Sequence, residues 1–288
     1  MIPTTYTPGQ RPDLSSYLLH ASVDWIDVRF TVPTLRQARP LQKSLGASWV
    51  RKVDIDLDPD APFNPAGREF VARLQNPPSA RSVKARLWLI DATPIDVTAV
   101  EFSLDFLPCS MPDRQEIAAL LTHLFVGHQY PASSPRFGAG RNFGGSVDSP
   151  MEMMSHFQAG STCYMSARGK EPLRLQRAYL KQTDDGVALF DWQVRGRFEN
   201  VYRDPEVICD MLDGGWPSEL SKDFTFRRFK KPASPLEYAI NARTLQAGTR
   251  ARRPDRRLFD SRTCADIELN RRTHDALRCL RKRWYASA

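Results

Sequence analysis

Alternating apolar and polar positions dominate this chain and predict more strand than helix. In ASVDWIDVRFTV (Ala21 to Val32), Ile26, Val28, Phe30 and Val32 line one face, while Trp25, Asp27, Arg29 and Thr31 line the other. Such a period of two marks a half-buried strand. VTAVEFSLDF (Val97 to Phe106) repeats it, with Phe102, Leu104 and Phe106 against Glu101, Ser103 and Asp105. The stretch from Ser161 to Arg203 reads as three strands split by turns at Arg168 to Pro172 and Thr183 to Gly186. Arg177, Tyr179 and Lys181 share a face there. Asp191, Gln193, Arg195, Arg197, Glu199 and Arg203 share another, opposite Phe190, Trp192, Val194, Phe198 and Tyr202. Trp49 to Leu57 and Arg81 to Ala92 read as further strands, Gly67 to Gln75 as a short helix, and Phe137 to Gly145 as a glycine-rich hairpin.

Helical spacing is rarer. Ser110 caps a predicted helix with Pro112 in its first turn; it runs to about Phe125 with Ile117, Leu120, Leu121 and Leu124 on one side. A second starts at Asp204 and Pro205 and ends near Leu212. A third runs from Thr263 to Trp284 with Ile267, Leu277 and Leu280 on its apolar side. The fold class is therefore α+β, a mostly antiparallel β-sheet core with flanking helices and a basic C-terminal helical segment. Residues 1–20 read as an N-terminal arm, 21–241 as the main domain and 242–288 as the basic segment.

Composition adds a partner class. The 288 residues are 41% hydrophobic and 10% aromatic, enough for a real core, and the net charge of +8 points to a polyanion. FTFRRFKK, carrying Arg227, Arg228 and Lys230, interleaves cations with aromatics as a phosphate-contacting strand does, and Arg250, Arg252 and Arg253 extend the basic character. The five cysteines are scattered without a CxxC or a zinc spacing, so reduced thiols in a cytoplasm are expected. His123 and His128 form no metal pattern. No apolar run is long enough to span a membrane, and MIPTTYTPGQRPDL has no signal-peptide character, so no membrane association is expected. A phenol among fixed cations beside a carboxylate strand fits either phosphoryl transfer or a salt-bridged sheet face. Glu101 and Asp105 lie roughly 13 Å apart by strand rise, too far to grip one ion unaided; the bland reading is a solvent-facing polar row.

The ordered set VDWIDVRF (Val23 to Phe30), VEFSLDF (Val100 to Phe106), TCYMSARGK (Thr162 to Lys170), RAYLK (Arg177 to Lys181) and RFENVYR (Arg197 to Arg203) resembles the replication initiation factors of rolling-circle plasmids and filamentous phages. These are the type without a histidine-hydrophobic-histidine metal motif. The resemblance covers about Val23 to Arg203. It departs from the family pattern at Val100, where an arginine is usual, at Glu101, which replaces an aspartate, and at Ser166-Ala167-Arg168, which replaces Gly-Ser-Arg. No clear match stands for the acid that often follows the tyrosine strand, although Asp184 and Asp185 are near.

The resemblance implies that residues 21–241 nick and rejoin one DNA strand at a replication or transfer origin. Tyr179 would attack the phosphodiester and keep a 5′-phosphotyrosyl link, with Tyr164 as the rival nucleophile. Arg177 and Lys181 would favour the phenolate and bind the phosphate. Glu101, Asp105 and Glu199 would hold Mg²⁺ or Mn²⁺, as all-oxygen ligands suit. Arg168, Lys170, Arg195 and Arg197 would join the basic residues above in touching DNA. A host helicase and a second copy of the chain are further expected partners. The rival reading is a non-catalytic, sequence-specific DNA-binding protein on the same sheet.

Overall fold

The computed structural model describes residues 13–53, 68–111, 113–126, 136–139, 142–146, 150–164, 173–184, 186–229 and 263–286. The strands are β1 (Tyr17–Thr31), β2 (Trp49–Lys52), β3 (Glu69–Gln75), β4 (Thr93–Pro108), β5 (Phe125–Val126), β6 (Arg136–Ala139), β7 (Asn142–Ser146), β8 (Thr162–Tyr164), β9 (Arg174–Lys181), β10 (Thr183–Asp184), β11 (Val187–Ala188), β12 (Arg195–Tyr202), β13 (Phe226–Phe229) and β14 (Thr263–Ala265). The helices are α1 (Ala38–Leu45), α2 (Ala80–Trp88), α3 (Arg114–His123), α4 (Pro150–Gln158), α5 (Pro205–Ile208), α6 (Leu220–Asp223) and α7 (Ile267–Tyr285). A nine-stranded sheet runs in the order β2-β3-β1-β4-β12-β9-β8-β6-β7. Its β1–β3, β2–β3, β6–β7, β6–β8 and β8–β9 pairs are antiparallel. A three-stranded sheet, β14-β13-β5, and the β10–β11 hairpin complete the strands. The chain is α+β, as its periodicity predicts.

Two compact units interleave along the sequence. The first comprises Met1–Ala21, Leu104–Asn200 and Glu219–Leu277; the second comprises Ser22–Ser103, Val201–Ser218 and Arg278–Ala288. The core of the first unit includes edge-to-face contacts of Phe226 with Phe106 and Phe198, at 6.2 and 5.1 Å between ring centres. Gly196 of β12 lets α3 approach closely: a Cβ there would meet Ile117 Cγ2 at 3.1 Å and Leu121 Cδ2 at 3.3 Å. In the second unit Phe30 stacks on Phe70, Phe102 packs edge-on against Tyr202 and Trp216, and Trp284 is buried with its indole N–H donating to the Met211 carbonyl at 3.0 Å.

Several elements differ from their sequence expectation. The segment read as a strand from Arg81 is helix α2, because Ser79 and Ser82 form a capping box and Val83 and Leu87 bury one helical face. The expected helix at Gly67 to Gln75 is strand β3, enclosed between β1 and β2 and buried on both faces at Phe70, Val71, Ala72 and Leu74. Helix α3 starts later than expected and is capped by Asp113, whose side chain accepts from the Gln115 N–H. In α7 the apolar side is Leu269, Leu277, Leu280 and Trp284, whereas Ile267 is 82% exposed. Asp204 and Pro205 do start α5. Arg168, Lys170, Lys230, Arg250, Arg252, Arg253, Asp185 and His128 lie outside the described residues, as does the turn expected at 168–172. Arg227 and Arg228 lie on β13, the middle strand of the small sheet. Among the described residues no helix is long and apolar enough to cross a membrane.

Candidate active site

Strand alternation does not put the polar rows in water. Glu101, Ser103 and Asp105 on β4 and Arg197 and Glu199 on β12 are all buried. A buried carboxylate must be met by donors or cations, since leaving it unpaired costs several kcal/mol. In the first unit those partners come from neighbouring strands. Glu199, 1% exposed, accepts from the Arg177 guanidinium on Oε2 and from the Tyr179 hydroxyl on Oε1 at 2.6 Å. Arg197 Nη1 lies 3.6 Å from the same Oε1. Arg197 also grips Asp105 in a two-pronged contact, Nε to Oδ1 at 2.5 Å and Nη2 to Oδ2 at 2.7 Å. Arg195 Nε adds a third bond to Asp105 Oδ2 at 2.9 Å. A continuous polar chain thus runs Asp105, Arg197, Glu199, Tyr179, with Arg177 at its partly exposed end.

The electrostatics of Tyr179 differ from the sequence expectation. Burial, then the Glu199 charge, push its phenol above the ordinary range, and Arg197 and Arg177 only partly oppose this. The surroundings therefore hold a neutral phenol that donates its proton toward Glu199, not a phenolate. Lys181 Nζ pairs with Asp184 Oδ1 at 2.8 Å, and that hydrogen bond holds the Asp184 carboxyl below its usual value. Tyr164 lies opposite Arg177 in the β8–β9 ladder, so it shares the face of Arg177 and is a diagonal neighbour of Tyr179.

Asp105, expected as a metal ligand, has both oxygens committed to arginines, and Arg195 and Arg197, expected at DNA, are spent on Asp105 instead. Arg197 is buried and serves to orient the two carboxylates. In the second unit the carboxylate that comes within 4.8 Å of Glu101 is Asp24, which also accepts from the Ser103 hydroxyl at 2.9 Å. Sequence alternation misses Asp24 because it falls in phase with Ile26 and Val28. Trp25, Ile26, Asp27 and Val28 are all buried, so both faces of β1 are covered there and burial does not alternate. The residues at Asp191–Gln193, expected within a strand, form a 3₁₀ turn that leaves Phe190 and Trp192 exposed.

No protein-family model, curated protein or solved structure matches the chain.

Proposed function

We propose that the chain is a metal-dependent DNA nicking and joining enzyme that uses Tyr179 as its nucleophile. The observation that carries this reading is the 2.6 Å hydrogen bond from the Tyr179 hydroxyl to Glu199, set between two guanidiniums. A neutral phenol is a poor nucleophile and needs an adjacent base. Glu199 is that base. As the Tyr179 oxygen bonds to phosphorus, its proton passes to Glu199 and the bond from phosphorus to the 3′ oxygen breaks. The leaving oxygen takes a proton from solvent, and the 5′-phosphate stays on the enzyme. Arg177, at the exposed end of the chain of contacts, is placed to meet the phosphate charge. Arg197 and Asp105 fix the orientation of Glu199.

The hard oxygen donors of Asp24 and Glu101 fit Mg²⁺ or Mn²⁺. Such an ion, once bound, would polarise a phosphoryl oxygen. Replication initiation and conjugative transfer share the chemistry, so DNA bearing the cognate origin is the proposed substrate.

The rival is a DNA-binding protein without catalysis. It is favoured by the closed character of the network, in which every carboxylate oxygen of Asp105 and Glu199 already has a partner. Incubation of supercoiled origin DNA with Mn²⁺ separates the two. The enzyme reading expects relaxed or nicked DNA carrying the protein on a 5′ end, lost in Tyr179→Phe and kept in Tyr164→Phe. The reverse pattern would move the nucleophile to Tyr164. Binding without nicking under any divalent ion would leave the non-catalytic reading.

A further inference from the structure

Phe190 and Trp192 are 70% and 64% exposed, although burial of large apolar side chains is favourable. Their rings are held nearly parallel, 4° apart in plane with centres 6.2 Å apart. Val187, three residues before Phe190 in the chain, is also exposed. Two planar rings standing in water in a fixed attitude are not a failed core, because the turn that carries them is tightly bonded. The Gln193 N–H donates to the Phe190 carbonyl at 2.8 Å, and the Phe190 N–H donates to Gln193 Oε1 at 3.2 Å. Arg195 Nη1 donates to the Gln193 carbonyl at 3.0 Å. The same arginine binds Asp105, the far end of the polar chain that leads to Tyr179. The aromatic pair is thus attached to the first residue of the strand that carries Glu199. Arg195 to Glu199 spans about 13 Å of that strand, a reach of a few nucleotides.

We infer that Phe190 and Trp192 form a stacking platform for the bases of single-stranded DNA next to the proposed nicking site. This deepens the proposed function and rests on it for the identity of the polymer. Exposed planar rings recognise any base face and do not read sequence. A duplex keeps its base faces internal and offers the rings nothing comparable. The occupant is chosen by position and by the overall charge: the turn joins the strand that carries Glu199, its Arg114–Asp191 pair at 3.1 Å is neutral, and the chain as a whole carries +8, which suits a polyanion. The platform therefore selects the unpaired state of the strand that Tyr179 attacks.

The test measures binding of the full chain to a fluorescent oligothymidylate and to a mixed-sequence duplex of equal length, at one salt concentration. Both substitutions lie on the surface, so Phe190→Ala with Trp192→Ala should leave the fold intact, which a thermal melt checks. The double variant is expected to lose about tenfold in single-strand affinity for each base released, with duplex affinity unchanged. Trp192→Phe, which keeps a ring, should retain most of the affinity. Unchanged single-strand binding in the double variant overturns the inference. An equal loss on duplex does so too, and so does a change of oligomeric state with no loss on DNA, which would mark the pair as a contact between copies. A wild type that binds single strands through these rings yet never forms a covalent adduct would sink the nicking function and leave the platform standing. An adduct-forming wild type whose double variant binds equally well would do the opposite.

Discussion

Glu199 shows how one buried carboxylate organises its neighbourhood. With almost no water contact it needs charged and neutral donors together, and β9 supplies Arg177 and Tyr179 two residues apart, the spacing at which a strand presents successive side chains to one face. Asp24 and Glu101 bring two further carboxylates within 4.8 Å of one another. Their hard oxygens are the ligands a divalent ion takes. Mn²⁺ or Mg²⁺ should therefore raise the melting temperature of the full chain by several degrees, since a ligand at a hundredfold excess over its Kd contributes about 2.7 kcal/mol. Asp24→Asn combined with Glu101→Gln should abolish that rise. A rise that survives both substitutions would place the ion elsewhere. Half of this pair is legible in the sequence. Glu101 stands out in an alternating strand, whereas Asp24 does not, because it falls in phase with Ile26 and Val28 and reads as part of their apolar row. The partners of Asp105 are likewise hidden. Spacing assigns a carboxylate to a face, but whether an arginine or a cation meets it depends on which strand lies next to it.

At the scale of elements, errors in the sequence reading come where two periods fit the same letters. Val83, Ala85 and Leu87 alternate like a strand, but Val83 and Leu87 are also one helical turn apart, and the capping serines decide the matter in favour of α2. Phe190 and Trp192 continue the parity of Val194 and Phe198, yet the chain leaves strand geometry at the 3₁₀ turn and the parity loses its meaning. Gly196 carries information of another kind. It has no positive φ to explain it, and its value lies in the missing Cβ, which lets Ile117 and Leu121 of α3 rest on β12. Gly196→Val should cost about 1–3 kcal/mol through overpacking, with Gly196→Ala at the lower end. Chemical denaturation reads this directly. Because the opposite face of β12 carries Arg197 and Glu199, a shift of the strand should also weaken any Tyr179 adduct. A Gly196→Val protein as stable as wild type would mean that α3 moves aside freely.

For the molecule as a whole, spatial neighbours come from distant stretches of the chain. Each compact unit draws on early, middle and late segments. Strands β1, β4 and β12 and helix α7 each run across a boundary between the units along the chain. Long-range pairing of this kind has no signature in local periodicity. It does have a thermodynamic consequence. Because these elements continue from one unit into the other, the chain should melt in one cooperative step. Trp284 offers the sharpest test, since it belongs to the second unit, is 1% exposed and anchors the end of α7 on Met211. Trp284→Ala should cost about 3–5 kcal/mol. Native-state hydrogen exchange can tell where that loss is felt. If the units share their stability, amides of β3 in the second unit and of β9 in the first should both lose protection, by similar free energies. Loss confined to β3, with β9 as protected as before, would mean that the strand carrying Tyr179 is stabilised independently of the C-terminal anchor.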